Sequence, residues 1–342
     1  MPDAVEIFED GSAGFAAARK PAWHRLGTIF EDQDAMTAEQ TLTAAKLAGW
    51  DVRKQPITST DNFGNGPVTL TVPDTYAVWR TNPVTSKPQL LVNGTVGKVW
   101  DPFQNEEMTD FLDAVSYESG AGFETAGSLS DGQDVFVTMR LPEAIKVGGV
   151  DAMDLFLAAH NNHTGRKCLV LSVGAVRIVC KNTQDLHIAS AKSTFKIRHT
   201  AGMRDGAVAE ARKALALSME YVDALQDEAD RMINETFTDA QFEKFMIEMC
   251  GERPGDDATP KQVTAWEEEV GSLRWLFRES ETQAAIRNTK WGAYQAAVEY
   301  LDWMAPVQAR KGADPELVRA RRTLSTDYAN LKQGVYEILQ AA

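Results

Sequence analysis

Two histidines three residues apart, His160 and His163, are the side chains best suited to bind a metal ion. Imidazole nitrogens are common zinc ligands, but a zinc site needs at least a third ligand and usually an acid that orients the imidazoles. No Asp or Glu occurs between Asp154 and Asp185. The sequence therefore predicts no metal site. It favours a turn at Asn161–Gly165 whose imidazole and amide groups hydrogen-bond the backbone, or else phosphate or base edges.

Other residue groups resemble catalytic sites only in part. Cys180 and His199 are the residue types of a thiol nucleophile and its base, but no third residue completes the group. Cys180 ends an alternating apolar segment, which favours a buried thiol. Gly94–Lys98 lacks the spacing of a phosphate-binding loop. Three carboxylates near one turn match no two-metal nuclease spacing: Glu124, Asp131 and Asp134. The sequence therefore predicts neither an enzyme nor a bound cofactor.

The segment His160–Thr200 has a charge opposite to that of the rest of the chain. Its formal charge is +6 in a chain of −14, which leaves −20 elsewhere. This concentration of cations in an acidic protein indicates an anion-binding surface. The alternative is a solvated hairpin whose cations pair with acidic helices, at less than ~1 kcal/mol per pair. The candidate phosphate-binding side chains are Arg166, Lys167, Arg177, Lys181, Lys192, Lys196 and Arg198.

Aromatic residues, and basic residues closer to the C-terminus, extend the hypothesis of an anion-binding surface. Trp100, close to Phe103, is the tryptophan that we expect to stack on a base, and His163 is expected to bind the same nucleic acid. A second basic group would extend the groove if the last helix folds back: Arg310, Lys311, Arg319, Arg321 and Arg322. The tryptophans in helical segments are assigned to the core: Trp266, Trp275, Trp291 and Trp303.

The apolar pattern changes near residue 201. Residues 1–200 contain short β-type runs separated by Gly, Asn and Pro, with helices after Thr37 and over Asn105–Glu118. Residues 201–342 show the three- and four-residue apolar steps of helices, and Val208–Met232 approaches a heptad pattern that would serve a core helix or join two subunits. The sequence therefore predicts an α+β fold. A domain at 1–200 has an antiparallel sheet with interposed helices and a basic hairpin, and an acidic helical domain follows at 201–342.

Cysteine usage and the distribution of apolar residues indicate the cellular compartment of the protein. Three cysteines without CxxC spacing, Cys168, Cys180 and Cys250, indicate reduced thiols. No run approaches the ~18 apolar residues that cross a bilayer. The segment Met1–Glu6 is acidic and lacks the apolar core of a secretory signal. The sequence therefore predicts a cytoplasmic protein with no membrane partner.

Several motifs occur in an order that resembles the phage/plasmid-like proteins, a family of unknown function carried by phages, prophages and conjugative elements. They are Trp23–Gly27, Glu124–Leu129, His163–Gly165, Arg177–Thr183, Arg198–Thr200 and Asn288–Tyr294. The family commonly has His-Asp-Gly-Ser in its central turn, where this chain has a threonine, Thr164, and an arginine, Arg166, at the second and fourth positions. The missing acid weakens any metal site carried over from the family. The resemblance implies a phage gene product in the host cell cytoplasm.

The succession of a strand (Leu90–Val99), a helix (Asn105–Glu118) and a hairpin (Phe123–Leu141) is similar to the core of phage single-strand annealing proteins of the RecT and Red-beta kind. Such proteins hold one strand's backbone in a positive groove and leave its bases free to pair. The analogy implies a homo-oligomer that binds and anneals single-stranded DNA, rather than RNA, in recombination or replication without nucleotide hydrolysis. The alternative is a protein-binding anti-defence or host-takeover factor whose acidic surface binds a basic host protein.

Overall fold

The computed structural model describes residues 5–19, 26–62, 64, 66–177, 183–184, 194–200, 220, 222–308, 315, 318–319, 322 and 326–341. The chain divides into two compact units. Unit 1 comprises Met1–Pro142, Phe156–Val173 and Thr194–Leu217, and unit 2 comprises Glu143–Leu155, Gly174–Ser193 and Ser218–Ala342. The chain thus passes between the units more than once. The boundary expected near residue 201 lies outside the described residues and stays a prediction.

Unit 1 contains a three-stranded antiparallel sheet with the order β3–β4–β5. Its strands are β3 (Arg53–Asn62), β4 (Pro67–Thr81) and β5 (Pro88–Gly97). Val78 and Leu91 face inward and are buried, whereas Leu90 and Val92, on either side of Leu91, face outward and are exposed, as the two-residue period of a strand requires. The strand predicted at Leu90–Val99 is confirmed as β5, which begins and ends two residues earlier.

A larger sheet has the order β10–β9–β8–β7–β6–β1–β2, and β11 also pairs with β9. Its strands are β1 (Phe15–Ala18), β2 (Thr28–Phe30), β6 (Gly122–Leu129), β7 (Asp134–Val147), β8 (Asp151–Asn162), β9 (Leu169–Arg177), β10 (Thr183–Gln184) and β11 (Thr194–Ile197). The β1–β2 pair is parallel, and β1–β6, β6–β7, β9–β10 and β9–β11 are antiparallel. The prediction of a sheet that is mostly antiparallel is confirmed, and the sequence did not indicate the parallel pairing of β1 with β2.

Two helices interrupt the strands of unit 1. Helix α1 (Ala38–Ala44) begins with a capping box, in which the Thr37 hydroxyl accepts from the Gln40 amide at 3.1 Å and the Gln40 side chain accepts from the Thr37 amide at 2.8 Å. Helix α2 (Asn105–Ser119) ends at Gly120, whose φ of 71° is left-handed. Both helices were predicted, and α2 differs from its predicted end by a single residue.

Unit 2 is mainly helical. Its described elements are α3 (222–233), α4 (Asp239–Cys250), α5 (Pro260–Arg278), a 3₁₀ helix (Glu281–Ile286), α6 (Lys290–Glu299), a π-helix (Tyr300–Met304) and α7 (Thr326–Ala341). Every residue of α6 is buried, and Phe242 stacks on Phe277 at 4.0 Å between ring centroids. Val222, Leu225, Ala229 and Met232, the described end of the near-heptad stripe, are buried as well. The α+β class with a helical C-terminal region is confirmed.

The helical tryptophans do not all belong to the core. Trp291 is fully buried, and its indole nitrogen donates to the Asp151 carboxylate at 2.8 Å. Trp275 and Trp303 are 48% and 50% exposed, so the prediction that they are core residues is wrong. Helical spacing places a side chain on a face, but it does not determine whether that face is covered. In the part of the chain that the structure describes, no helix has the length and apolar character needed to span a membrane.

Candidate nucleic-acid interface

The turn between β8 and β9 is organised by one buried side chain, Asn162. Its carbonyl oxygen accepts from the Thr164 amide at 3.1 Å, the Thr164 hydroxyl at 2.8 Å and the Arg166 amide at 3.2 Å. An Asn that bonds the backbone two residues on stabilises a tight turn. The exposed side chains of Arg166 and Lys167 follow directly, so Asn162 fixes where these cations leave the fold.

Gly165 brings this turn against Trp100. Its φ of +73° is left-handed, and a Cβ atom there would lie 2.6 Å from Val96 Cγ1 and 3.5 Å from Trp100 Nε1. On another side of the indole, the His199 ring stacks at 5.9 Å between centroids with 23° between planes. The His199 carbonyl accepts from the Asp101 amide at 3.0 Å. Two segments distant in sequence, Asn161–Gly165 and the end of β11, thus meet at one tryptophan.

Four exposed cations lie within three residues of Trp100 or of a residue that contacts it, and we call them the basic cluster: Lys98, Arg166, Lys196 and Arg198. Arg166 follows Gly165, Arg198 precedes His199, and Lys98 precedes Trp100 by two residues. Along β11 and its continuation, Ile197 and His199 are buried, and Lys196 and Arg198 are exposed on the opposite side.

The charge of this surface is not all positive. Lys167, also predicted, is 68% exposed, but its ammonium lies 3.6 Å from the Asp134 carboxylate, which offsets its charge. Asp101, half-buried, lies beside Trp100. Since the four cations of the basic cluster still outnumber these two acids, the surface remains positive at neutral pH.

His163 lies beneath the turn and is fully buried. Its Nε2 is 3.0 Å from Asn105 Oδ1, and the Asn105 amide nitrogen donates to the Leu47 carbonyl at 2.9 Å. Because Asn105 Oδ1 must then accept, His163 carries its proton on Nε2 and a lone pair on Nδ1. Burial, with smaller contributions from His199 and Arg80, lowers the pKa of His163 to about 3, so the ring is neutral.

Behind His163 lies a stack of side chains that ends in a buried ion pair. The Trp50 ring is 5.6 Å from the His163 ring, and the Arg80 guanidinium lies 4.1 Å above Trp50. Arg80 forms a bidentate pair with Glu6, which also accepts from the Ser128 hydroxyl at 2.8 Å. These groups hold the turn from the core side without reaching solvent.

The layer between the turn and the core is polar as well as buried. Among the described residues, the atoms without a hydrogen-bond partner include Trp100 Nε1, Asn161 Oδ1, His163 Nδ1 and both ring nitrogens of His199. Burial lowers the pKa of His199, against the opposing effect of the nearby Asp101 backbone and carboxylate. Both imidazoles are therefore neutral. Within the described residues, no group of three His, Cys, Asp or Glu side chains could hold a metal ion.

These positions revise two expected contacts. His163 is fully buried and Trp100 is only 8% exposed, so neither can contact a strand bound outside the intact fold. Their role here is to position the turn and the cations around it. The sequence showed their residue types but not their depth, because burial of a polar turn depends on contacts with residues about 60 positions away. Lys98 was not predicted, since it lies outside the basic segment of the sequence.

The other predicted cations divide into two groups. The side chain of Arg177, and Lys181 and Lys192 altogether, lie outside the described residues. In unit 2, Arg319 and Arg322 donate to backbone carbonyls at the end of the π-helix, those of Ala305 at 2.9 Å and Pro306 at 2.6 Å respectively. These two arginines cap a helix end. The remaining members of the second basic group, Arg310, Lys311 and Arg321, lie outside the described residues.

Comparison with known proteins gives one match. A domain of unknown function, DUF932, matches residues 92–324, which is about two thirds of the chain and includes the whole basic cluster. No curated protein and no solved structure matches the chain.

Proposed function

Because the chain belongs to the DUF932 family, whose function is unknown, we propose a function from the site itself: the basic cluster of unit 1 binds the backbone of single-stranded nucleic acid. The observation that carries the proposal is that the segments carrying Lys98, Arg166 and Arg198 meet at one buried tryptophan, Trp100. A solvated hairpin does not require such convergence, whereas a phosphate-binding surface does.

Charge and geometry favour one strand over a duplex. Lys196 and Arg198 lie on the same side of an extended segment, about 7 Å apart, so they can contact neighbouring phosphates of one backbone. The remainder of the chain is strongly acidic, which repels a second strand that would extend beyond the cluster. With the indole and imidazoles buried, the described surface contacts phosphates and leaves the bases unread.

The fuller proposal is annealing of single-stranded DNA in phage recombination or replication, in the host cytoplasm and without nucleotide hydrolysis. Its support is the motif order that resembles phage/plasmid-like proteins and the order β5, α2, β6, β7, which is similar to that of annealing proteins. A surface that binds phosphates and leaves bases free is what annealing requires. A homo-oligomer would lengthen the groove by placing clusters from neighbouring copies in a row.

Fluorescence anisotropy of labelled single-stranded and duplex oligonucleotides, at several salt concentrations, tests the proposal. We expect the single strand to bind more tightly at every salt concentration. Substituting Arg166, Lys196 and Arg198 together by Gln should weaken binding for all base sequences. Because each phosphate contact on a single strand releases ~0.7 counterion, the log–log salt slope should fall by about 2.

A matched control changes the same charge in unit 2. Lys244, Arg253 and Lys261 are exposed, and their triple substitution by Gln also removes three positive charges. We expect it to leave the salt slope within about 0.5 of the wild-type value, since none of these residues belongs to the basic cluster. Equal losses in the two triple variants would refute the site. Absence of single-strand binding by the wild-type protein at low salt would refute the function.

A second candidate function is binding of a basic protein, the alternative indicated by the acidic composition. Unit 2 has a surface cavity of about 380 Å³ lined by Ala265, Glu268, Glu269, Ser272, Tyr300, Met304 and Pro306. Two carboxylates and an apolar rim suit the stem and charge of a lysine side chain. Calorimetric titration with an oligolysine peptide tests this: binding should occur and should weaken in Glu268→Gln. If the peptide does not bind, the cavity does not support this alternative.

A further inference from the structure

The three-stranded sheet of unit 1 has an exposed apolar face. Four large side chains on it are 44–66% exposed: Val68, Leu70, Leu90 and Val92. Strand pairing sets Trp79 opposite Leu90 and Arg53, and it sets Leu70 and Val68 opposite Ser59 and Asp61. Because side chains alternate along β3, Arg53, Ser59 and Asp61 share one face, and their partners on β4 share it with them. Large apolar side chains exposed on one face of a sheet mark a candidate interaction site.

The opposite face of the three-stranded sheet packs against the interior of unit 1. Val78, Leu91 and Val96 are buried there, and Arg80 extends from it to Glu6. Lys54 lies 5.3 Å from the Tyr76 ring centroid on the same side. The outer apolar face is therefore a second, separate packing surface of the same strands and not a loosely covered part of the core.

The ladder between β3 and β4 extends beyond β5. Pairs from Thr58–Thr71 to Asn62–Pro67 form a ribbon of two strands, and no third strand pairs with it among the described residues. Thr60 and Thr69 hydroxyls are 2.7 Å apart on its other side. A two-stranded ribbon is marginally stable alone in water. Covering its apolar side would stabilise it.

Charge on the outer face is self-complementary. Along β3 the outward residues are Arg53, Gln55, Ile57, Ser59 and Asp61, so a single cation and a single anion lie at opposite ends with Ile57 midway. A two-fold axis through Ile57, in the plane of the face and perpendicular to the strands, would place Arg53 opposite Asp61 of the partner subunit. Arg53 also donates to Asp51 at 2.9 Å, and Asp51 is 73% exposed at the edge.

We propose that this outer face packs against the same face of a second copy of the chain, with the two β3 strands antiparallel across the interface. The chain's −14 charge opposes self-association through acidic surfaces. Arg53 and Asp61 leave the outer face of β3 without net charge, and the outward side chains of β4 and β5 include Trp79, Leu90 and Val92, so this face can be buried without that repulsion. Two sheets stacked face to face would lie about 10 Å apart. This inference is independent of nucleic-acid binding.

Two charge-reversal variants test both the face and its orientation. Light scattering should find the wild-type protein, of 37.6 kDa per chain, as a dimer at tens of micromolar. Arg53→Asp alone places like charges together, as does Asp61→Arg alone, so each should raise the dimer Kd by about tenfold or more. An equimolar mixture of the two variants should dimerise again, because every facing pair in the mixed dimer is then opposite in charge.

A second pair of variants separates dimerisation from folding. Leu70→Lys should abolish the dimer, whereas Val99→Lys, at a still more exposed apolar residue beyond the end of β5, should retain it. Both proteins should keep the wild-type circular dichroism spectrum. The proposal would be overturned if the wild-type protein were a monomer, or if the Leu70→Lys variant still formed the dimer. Failure of the mixed charge variants to dimerise would overturn the antiparallel arrangement.

Discussion

The stability of the fold should decrease in mild acid because of His163. The pKa of this fully buried histidine is lowered to about 3, while in the unfolded chain it is near 6.5. Between these two pKa values the unfolded state binds more protons than the folded state, so the free energy of unfolding rises with pH. The contribution of His163 is therefore lost as the pH falls below about 6.5. For one such histidine, lowering the pH from 7.5 to 5.0 removes about 2 kcal/mol.

The variant His163→Gln isolates this effect. Its amide can still donate to Asn105 Oδ1, but it does not titrate. Urea unfolding of both proteins, followed by tryptophan fluorescence at pH 7.5, 6.0 and 5.0, gives the free energies of unfolding. All other titrating groups, His199 included, are present in both proteins and cancel in the difference. The advantage of wild type over the variant should shrink by about 2 kcal/mol from pH 7.5 to 5.0.

A difference that stays constant over this range, within about 0.5 kcal/mol, would refute the reasoning. It would mean that His163 binds a proton in the folded state about as readily as in the unfolded state. The ring would then have an acceptor or a solvent path at Nδ1, and its assignment as a neutral Nε2–H donor to Asn105 would be wrong.

Three further predictions concern groups around the site and in unit 2. Glu6→Gln leaves the buried Arg80 guanidinium without its charge partner and should lower the urea-unfolding free energy by about 3 kcal/mol. Gly165→Ala should lower the melting temperature more than Gly49→Ala, because both have positive φ but only the first places a Cβ within 2.6 Å of another side chain. Burial and a nearby carboxylate raise the pKa of Cys250 to about 12, so thiolate absorbance from this residue should be absent at pH 9.

Each of these predictions has a contrasting measurement. The pair Arg253–Glu267 is 61% and 55% exposed, so Glu267→Gln should cost less than about 1 kcal/mol, and an equal loss from Glu6→Gln would contradict the buried-pair argument. Equal losses in the two glycine variants would show that Val96 can move to accommodate the added Cβ atom. The Cys250 signal is measured with Cys168 and Cys180 changed to Ser, and thiolate absorbance at pH 9 would show that the thiol is solvated.

Features that depend on neighbouring residues were predictable from the sequence. The capping box at Thr37 and the helix Asn105–Ser119 follow from spacings of three and four residues. The turn at Asn161–Gly165 was also expected from its composition, and Asn162 makes the local hydrogen bonds that such turns use. The exposure of Lys196 and Arg198 follows the strand period. In each case the determining interactions lie within a few residues.

Features that depend on distant residues were not predictable. Nothing near His163 indicates that Asn105 and Trp50 cover it. Lys98 joins the basic cluster only because Gly165 allows the turn to reach Trp100. The same limit explains the helical tryptophans, since apolar spacing identifies a stripe but not the element that covers it. Each of the two units is built from three separate stretches of the chain, and no local pattern in the sequence indicates this division.

The interior of unit 1 contains a buried ion pair and several buried polar side chains. A buried ion pair such as Glu6–Arg80 is commonly no more stabilising than apolar residues of the same volume, because desolvation offsets the attraction. Removing only one partner of the pair is nevertheless destabilising, because the other charge is then left buried without a partner. Such groups therefore constrain geometry more than they add stability. Here the geometry that they constrain, through Trp50 and His163, is the turn from which Arg166 emerges. The exposed cations contribute little to folding, so the proposed binding and the stability of the fold would depend on different residues of one connected structure.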